Sequence, residues 1–114
     1  MFRKFVYMIE KNFGLKRSFD YNKDITKDDI DSYIKQGAII IDVRSPQEYR
    51  EGHIDGAISI PDYQIKKEIG KQIPNKEELI VVYCSTGHRS QNAQQILEGM
   101  GYKNVYNVYE GIII

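Results

Sequence analysis

The single cysteine of the chain, Cys84, stands between an apolar run and a short loop, in the stretch VVYCSTGHRS (81–90). A cysteine in this place is either a small buried residue that ends a strand or a nucleophile in an anion-binding loop. If the chain turns directly from the strand into a helix, five consecutive backbone amides curl around the sulfur. They belong to Ser85, Thr86, Gly87, His88 and Arg89.

A loop of this kind stabilises the thiolate form of Cys84. The first turn of a helix has unpaired N–H groups and the positive end of the helix dipole, and both attract an anion. Gly87 permits a backbone conformation that a side chain would obstruct, and Arg89 adds positive charge. Comparable sites lower a cysteine pKa from about 8.5 to roughly 3.5–7.5. An inert cysteine would leave the glycine, the arginine and the helix start unexplained, so we favour the nucleophile.

The elements that position this loop follow from the hydrophobic pattern. Continuous apolar runs rich in β-branched residues predict strands that are covered on both faces. These runs are 38–43, 57–60, 79–84 and 104–108. Helical segments alternate with the strands, which predicts an α/β fold with a single parallel sheet, of about five strands, and helices on both faces. Ligands of such sheets bind beyond the carboxyl ends of the strands, where Cys84 lies.

Two motifs together resemble the rhodanese sulfurtransferases. CSTGHRS (84–90) is similar to their active-site loop, which reads cysteine, two residues, glycine, one residue, arginine and serine. IIDVRSPQEYREGHIDGAISIP (40–61) is similar to the other signature of the family. With GYKNVYNVYEG (101–111), the resemblance covers residues of about 25 to 111. Two motifs in this order and separation are highly specific, and they imply a single rhodanese-like domain.

The resemblance implies a sulfur relay through Cys84 with no cofactor and no metal. The thiolate attacks the outer sulfur of thiosulfate or of a persulfide donor, and a Cys84 persulfide forms. An acceptor then takes the sulfur; it is cyanide, a cellular thiol or a partner protein. The amides of residues 85–89 bind the substrate, while Arg89 anchors the loop or assists anion binding.

The polar residues around the loop have two interpretations. Arg44 either contacts the substrate or joins Asp42 and Glu48 in a structural network of ion pairs. The family position of His53 implies a buried, hydrogen-bonded structural role. Two residues of the loop complete the set, since we expect His88 to lie exposed near the rim of the pocket and Ser90 to cap the helix.

Two other functions stay open. Cell-cycle phosphatases and arsenate reductases share the implied fold, but they place five residues between cysteine and arginine, whereas this chain has four. The shorter loop favours sulfur over a tetrahedral oxyanion. A non-catalytic interaction module on the same fold is the other alternative, and the presence of Cys84 weakens it.

Composition excludes further classes of protein. The 16 Lys+Arg residues balance 16 Asp+Glu residues, so the basic excess typical of nucleic-acid binding is missing. One cysteine excludes an intramolecular disulfide and a cysteine-cluster metal site, and it favours a reducing compartment. No stretch approaches the roughly 20 apolar residues that a membrane span requires. Charged residues interrupt the apolar N-terminal segment, whereas a signal peptide has an uninterrupted apolar stretch. We therefore expect a cytoplasmic protein.

The two ends of the chain lie outside the main pattern. Apolar residues at helical spacing predict an amphipathic helical extension over 1–20, ahead of a domain over 21–114. The chain ends in GIII, where family members commonly have a second glycine and a further helix; here Glu110 precedes Gly111. Three terminal isoleucines need a cover, which we expect to be the N-terminal helix or the second subunit of a homodimer.

Overall fold

A computed structural model describes residues 23–114, and their centre is a parallel five-stranded sheet. The strands are β1 (Asp24–Ile25), β2 (Ile39–Asp42), β3 (Ile58–Ser59), β4 (Leu79–Tyr83) and β5 (Asn104–Val108). They lie in the order β1-β5-β4-β2-β3, with every neighbouring pair parallel. The predicted α/β architecture is confirmed. Strand β1 falls outside the four predicted runs because two residues are too short to carry a periodic pattern.

Four helices and two short 3₁₀ turns connect the strands. The helices are α1 (Ile30–Lys35), α2 (Pro46–Glu51), α3 (Ile65–Gln72) and α4 (His88–Gly99), and the 3₁₀ turns are Lys27–Asp29 and Asp62–Gln64. Helix α2 begins with a capping box, in which Ser45 and Glu48 bond each other's backbone N–H and Pro46 takes the first helical position. After α1, Gly37 turns the chain with a φ of 91°, a conformation that favours glycine.

Alternating residues of the strands build one apolar core on each face of the sheet. On one face, α3 and α4 pack Ile65, Ile69 and Leu97 against Ile41 and Val82 of the sheet. All five residues are fully buried. On the other face, α1 and the segment 54–57 pack over a second core that includes Ile40, Val81 and Val108. Both cores meet at β4, so the strand that precedes Cys84 is buried on both sides.

The C-terminal isoleucines differ in their surroundings. Ile112 is 9% exposed and packs into the core on the α1 face, so the domain itself covers it. Ile113 and Ile114 are 94% and 59% exposed. The predicted helical extension over 1–20 lies outside the described residues. Within residues 23–114, no helix has both the length and the apolar composition needed to cross a membrane.

Candidate active site

Cys84 lies at the carboxyl end of β4, where the chain turns into α4. Its side chain is fully buried. The intervening loop closes at Gly87, the residue before the first turn of α4, which has a φ of 92°. The short connection brings the start of the helix back onto the cysteine, as the sequence predicts.

Two backbone N–H groups and one hydroxyl surround the sulfur atom. The backbone N–H of Gly87 donates to Cys84 Sγ at 3.1 Å and that of Ser90 at 3.4 Å, and Ser90 Oγ lies 3.4 Å from the same atom. Burial of the thiol raises its pKa, but the hydroxyl and N–H of Ser90 and the N–H groups of Thr86 and Gly87 outweigh that effect. The net result is a Cys84 pKa below the ordinary value.

Ser90 is a site residue that the sequence analysis assigned differently. The capping position belongs to Gly87, and Ser90 lies inside the first turn, fully buried. Its hydroxyl oxygen is 3.2 Å from the carbonyl oxygen of Gly87 and 3.4 Å from Cys84 Sγ. A hydroxyl has one proton, so it bonds the carbonyl when the sulfur is a thiol and can turn to the sulfur when it is a thiolate. The sequence does hold a signal for this role, because Ser90 falls in the first turn of the helix that follows the Cys84 loop.

The chain after β5 supports the loop from outside. Ile112 N–H donates to the carbonyl of Cys84 at 2.9 Å. A Cβ at Gly111, which has a φ of 79°, would overlap the backbone of Ser85, and a Cβ at Gly87 would overlap the carbonyl of Tyr109. Both glycines are therefore required by close backbone contact as well as by conformation. Gly111 was not predicted to have this role, because only the folded chain brings it to the loop.

Arg89 joins the loop to α2. Its Nη1 donates to Glu48 Oε1 at 2.8 Å and its Nη2 to Glu48 Oε2 at 3.2 Å. Ser85 Oγ also donates to Glu48 Oε2, at 3.4 Å, and the backbone N–H of Ser45 donates to Oε1. The Arg89 bond first, and then the Ser45 N–H, lower the pKa of Glu48 to about 2. The Arg89 guanidinium is thus paired with a carboxylate of α2.

This geometry agrees with the comparisons with known proteins. The family model described as the rhodanese-like domain matches residues 26–112. The chain belongs to the rhodanese-like domain family. This confirms the family membership that the two sequence motifs predict.

Individual members of the family differ in what they do. The chain is 43% identical over 67 residues to the thiosulfate sulfurtransferase PspE of Escherichia coli, which covers 59% of this chain and 64% of that protein. It is 36% identical over 80 residues to the tRNA uridine(34) hydroxylase of Sodalis glossinidius, covering 67% of this chain and 23% of that one. The match thus spans less than two thirds of either relative. A solved rhodanese with anions from E. coli aligns with a TM-score of 0.61 and 40% identity over 63% of this chain and 85% of its own.

A buried network lies next to the rhodanese loop, at the end of β2. Arg44 is 6% exposed, and its Nη2 donates to Asp42 Oδ2 at 2.7 Å and to the carbonyl of Gly52 at 2.6 Å. Tyr83 donates its hydroxyl to the same Oδ2 at 2.7 Å. The hydrogen bond to Asp42 raises the pKa of Arg44, and burial raises that of Tyr83. These bonds occupy the Arg44 guanidinium inside the domain. Glu48 does not hydrogen-bond Arg44, because α2 carries it toward Arg89 instead.

The two histidines are both exposed. His88 lies beside the loop, with Nδ1 3.2 Å from Thr86 Oγ1, where the sequence predicts it. The prediction that His53 is buried is wrong. Its ring stacks on that of Tyr49 with a centroid distance of 3.7 Å, and Nδ1 lies 2.7 Å from the Tyr49 carbonyl oxygen. The reason is local, since His53 follows α2 at the surface and packs back onto the last turn of that helix.

Proposed function

We propose that the chain is a sulfurtransferase that moves sulfane sulfur through a persulfide on Cys84. The observation that carries the proposal is the convergence of the Gly87 and Ser90 N–H groups and the Ser90 hydroxyl on one buried sulfur atom. This arrangement stabilises a negative charge on sulfur without reorganisation of the loop. The name of the relative PspE supports thiosulfate as a donor.

The reaction has two displacement steps at sulfur. In the first, the Cys84 thiolate attacks the outer sulfur of thiosulfate, the S–S bond breaks, and sulfite leaves with the electron pair. In the second, an acceptor nucleophile attacks the outer sulfur of the persulfide, and Cys84 recovers its electron pair as a thiolate. Neither displacement is a net oxidation or reduction of the reactants, so the relay needs no external oxidant or reductant.

The surrounding residues have distinct roles in this proposal. The N–H groups of Thr86, Gly87 and Ser90, with the Ser90 hydroxyl, stabilise the thiolate. Arg89 acts through its pair with Glu48, which fixes the loop against α2. Arg44 and Asp42 act as a structural pair at the carboxyl end of β2 rather than as the substrate contact, because the Arg44 guanidinium is already bonded to Asp42 and to the Gly52 carbonyl. We propose a cytoplasmic location, where a lone thiol stays reduced.

The test is intact-protein mass spectrometry after incubation with thiosulfate, followed by cyanide. We expect a gain of one sulfur atom, its removal by cyanide, and no gain in Cys84→Ser. The Ser85→Ala variant is a matched control, because it alters a loop hydroxyl that bonds Glu48 and not the sulfur. If folded, reduced protein gains no sulfur from thiosulfate or from a small persulfide donor, the proposal fails.

A phosphatase or arsenate reductase on the same fold is the second candidate, and the length of the loop argues against it. Four residues separate Cys84 from Arg89, and the Arg89 guanidinium is turned to Glu48. Turnover of an aryl phosphate or of arsenate, without any sulfur gain from thiosulfate, would favour this candidate.

A further inference from the structure

Both arginines beside the active-site loop are bonded to carboxylates. Arg44 donates from Nε and Nη2 to the carboxylate oxygens of Asp42, and Arg89 donates from both Nη atoms to Glu48. A bidentate pair of arginine and carboxylate is strong, and its net charge is zero. The loop that holds Cys84 is therefore bordered by two cations whose charge is already compensated.

A third carboxylate, that of Asp62, belongs to the same edge of the sheet. The backbone N–H of Asp62 donates to the carbonyl of Val43 at 2.9 Å, and the N–H of Val43 donates in the same way to the last residue of β4. The hydrogen bond to Glu48 raises the pKa of Arg89, and the charges of Cys84 and Asp62 add to the rise. These groups therefore act on one another across the edge, where three carboxylates meet two guanidinium groups.

The carboxylate of Glu48 is a fixed charge close to the nucleophile. Its Oε2 accepts from Ser85 Oγ at 3.4 Å, and Ser85 is the residue next to Cys84 in the chain. Its Oε1 accepts from the backbone N–H of Ser45 at 3.0 Å. The bond from Arg89 is the main cause that lowers the pKa of Glu48 to about 2. The carboxylate is thus ionised at every pH at which the cysteine is a thiolate.

Sulfane donors differ in the charge that they bring to this site. Thiosulfate carries two negative charges, whereas a thiosulfonate or an organic persulfide anion carries one. The backbone N–H groups of Gly87 and Ser90 bond Cys84 Sγ, so they compensate the charge of the thiolate and not the second charge of a donor. Charges interact over a Debye length of about 8 Å at physiological ionic strength. The Glu48 carboxylate therefore opposes a dianion more than a monoanion.

We propose that Glu48 is a specificity-determining residue, whose fixed charge selects against the second negative charge of thiosulfate. The donor class that suits the site is a singly charged sulfane, such as a thiosulfonate or an organic persulfide. The proposal rests on the proposed sulfurtransferase function. With a thiosulfonate, the Cys84 thiolate attacks the outer sulfur, the S–S bond breaks, and the sulfinate leaves with the electron pair. Cys84 then carries the same persulfide that thiosulfate gives.

The experiment compares loading by two donors that differ by one charge. Thiosulfate is the dianion and methanethiosulfonate is the monoanion, and each transfers one sulfur atom to Cys84. The gain of sulfur is followed by mass spectrometry at donor concentrations below saturation. The readout is the loading rate with thiosulfate divided by that with methanethiosulfonate. A change in the nucleophile or in the fraction of folded protein acts on both donors and cancels in this ratio.

Removal of the charge of Glu48 should raise the ratio. The interaction of two unit charges about 7 Å apart in water is close to RT, which is about threefold in rate, so we expect Glu48→Gln to raise the ratio about threefold. Asp62→Asn should also raise it, since Asp62 contributes to the same excess of negative charge. Glu51→Gln is the matched control. It removes the same charge from the same helix at a residue that bonds Gln47, and the ratio should stay unchanged.

Salt separates an effect of charge from an effect of loop shape. The Debye length falls to about 3 Å at an ionic strength of about 1 M, so the ratios of Glu48→Gln and of the unaltered chain should converge there. A ratio in folded Glu48→Gln that stays constant or falls, or a rise that persists in high salt, would overturn the proposal. If Glu48→Gln does not fold, Asp62→Asn decides by the same criteria. If neither donor nor a small persulfide loads the unaltered chain, the proposed function is refuted, and the inference falls with it.

Discussion

The Ser90→Ala variant isolates the contribution of one hydroxyl to the Cys84 thiolate. A hydrogen bond to a charged group contributes about 1.5–3 kcal/mol. The 3.4 Å separation of Oγ and Sγ and the competing Gly87 carbonyl at 3.2 Å place this bond at the lower limit. Since one pKa unit corresponds to about 1.36 kcal/mol, removal of the hydroxyl should raise the Cys84 pKa by about one unit. The thiolate fraction at a pH below both pKa values then falls about tenfold.

The pH dependence of alkylation by iodoacetamide measures this change directly. The midpoint should move upward in Ser90→Ala and stay unchanged in Ser85→Ala, which removes the same group from a loop residue that bonds Glu48. The backbone N–H of Ser90 is retained in the variant, so its bond to the sulfur stays in place. An unchanged midpoint in Ser90→Ala, or an equal shift in both variants, would refute the assignment of the hydroxyl to the sulfur.

Three further substitutions, with Gly56→Ala as the control for the first, test how the loop and the neighbouring end of β2 are held. Gly111→Ala must adopt a φ near 79° and also overlap the backbone of the active-site loop, whereas Gly56→Ala has a φ near 83° and open space. Urea titration should therefore show that Gly56→Ala loses about 1–3 kcal/mol of unfolding free energy and that Gly111→Ala loses clearly more. Equal losses in the two variants would contradict the close contact of Gly111 with the loop backbone. Glu48→Gln removes a carboxylate whose pKa is lowered to about 2. Its stabilising effect is present above the ordinary pKa of about 4.5 and is lost as pH falls through 2, so the melting temperatures of the variant and the unaltered chain should converge between pH 5 and pH 2. Asp42→Asn leaves the buried Arg44 cation without its counter-charge, and urea titration should show a loss of about 3–5 kcal/mol; a loss below 1 kcal/mol would mean that water reaches the pair.

The sequence predicts those parts of the site that are local in the chain. The spacing of cysteine, glycine and arginine in CSTGHRS is enough to indicate a turn from a strand into a helix, and the amides of such a turn converge by geometry alone. Contacts between distant segments carry no such signal. Arg89 and Glu48 are 41 residues apart, and the contact of Gly111 with the loop depends on how β5 ends.

The sequence pattern also does not predict the surroundings of individual side chains, such as those of His53 and Ser90. His53 follows a helix whose last turn lies at the surface, so its ring packs on Tyr49 and stays exposed, although its position in the family motif implied burial. Ser90 was assigned to the helix cap because serine is common there. The cap is instead Gly87, which a left-handed conformation requires, and this displaces the serine onto the sulfur.

The donors around Cys84 should act differently on the two halves of the proposed relay. A thiolate of lower pKa is a weaker nucleophile, with a Brønsted coefficient of about 0.4–0.5, but it is a better leaving group. At a pH well above both pKa values, where Cys84 is fully ionised, Ser90→Ala should therefore load sulfur from thiosulfate about threefold faster, given a pKa one unit higher. Discharge to a thiol should become slower, because Cys84 is the leaving group of that step and has lost a donor.

Single-turnover mass spectrometry separates the two rates, since loading and discharge are followed in different reactions. A Ser90→Ala variant that is slower in both steps at high pH would mean that the hydroxyl positions the loop rather than tuning the charge on sulfur. Opposite changes would instead show that the same hydrogen bond restrains the attack and assists the release. The donors converge on Sγ itself, and this is the atom that must take up negative charge each time the relay returns to its starting state.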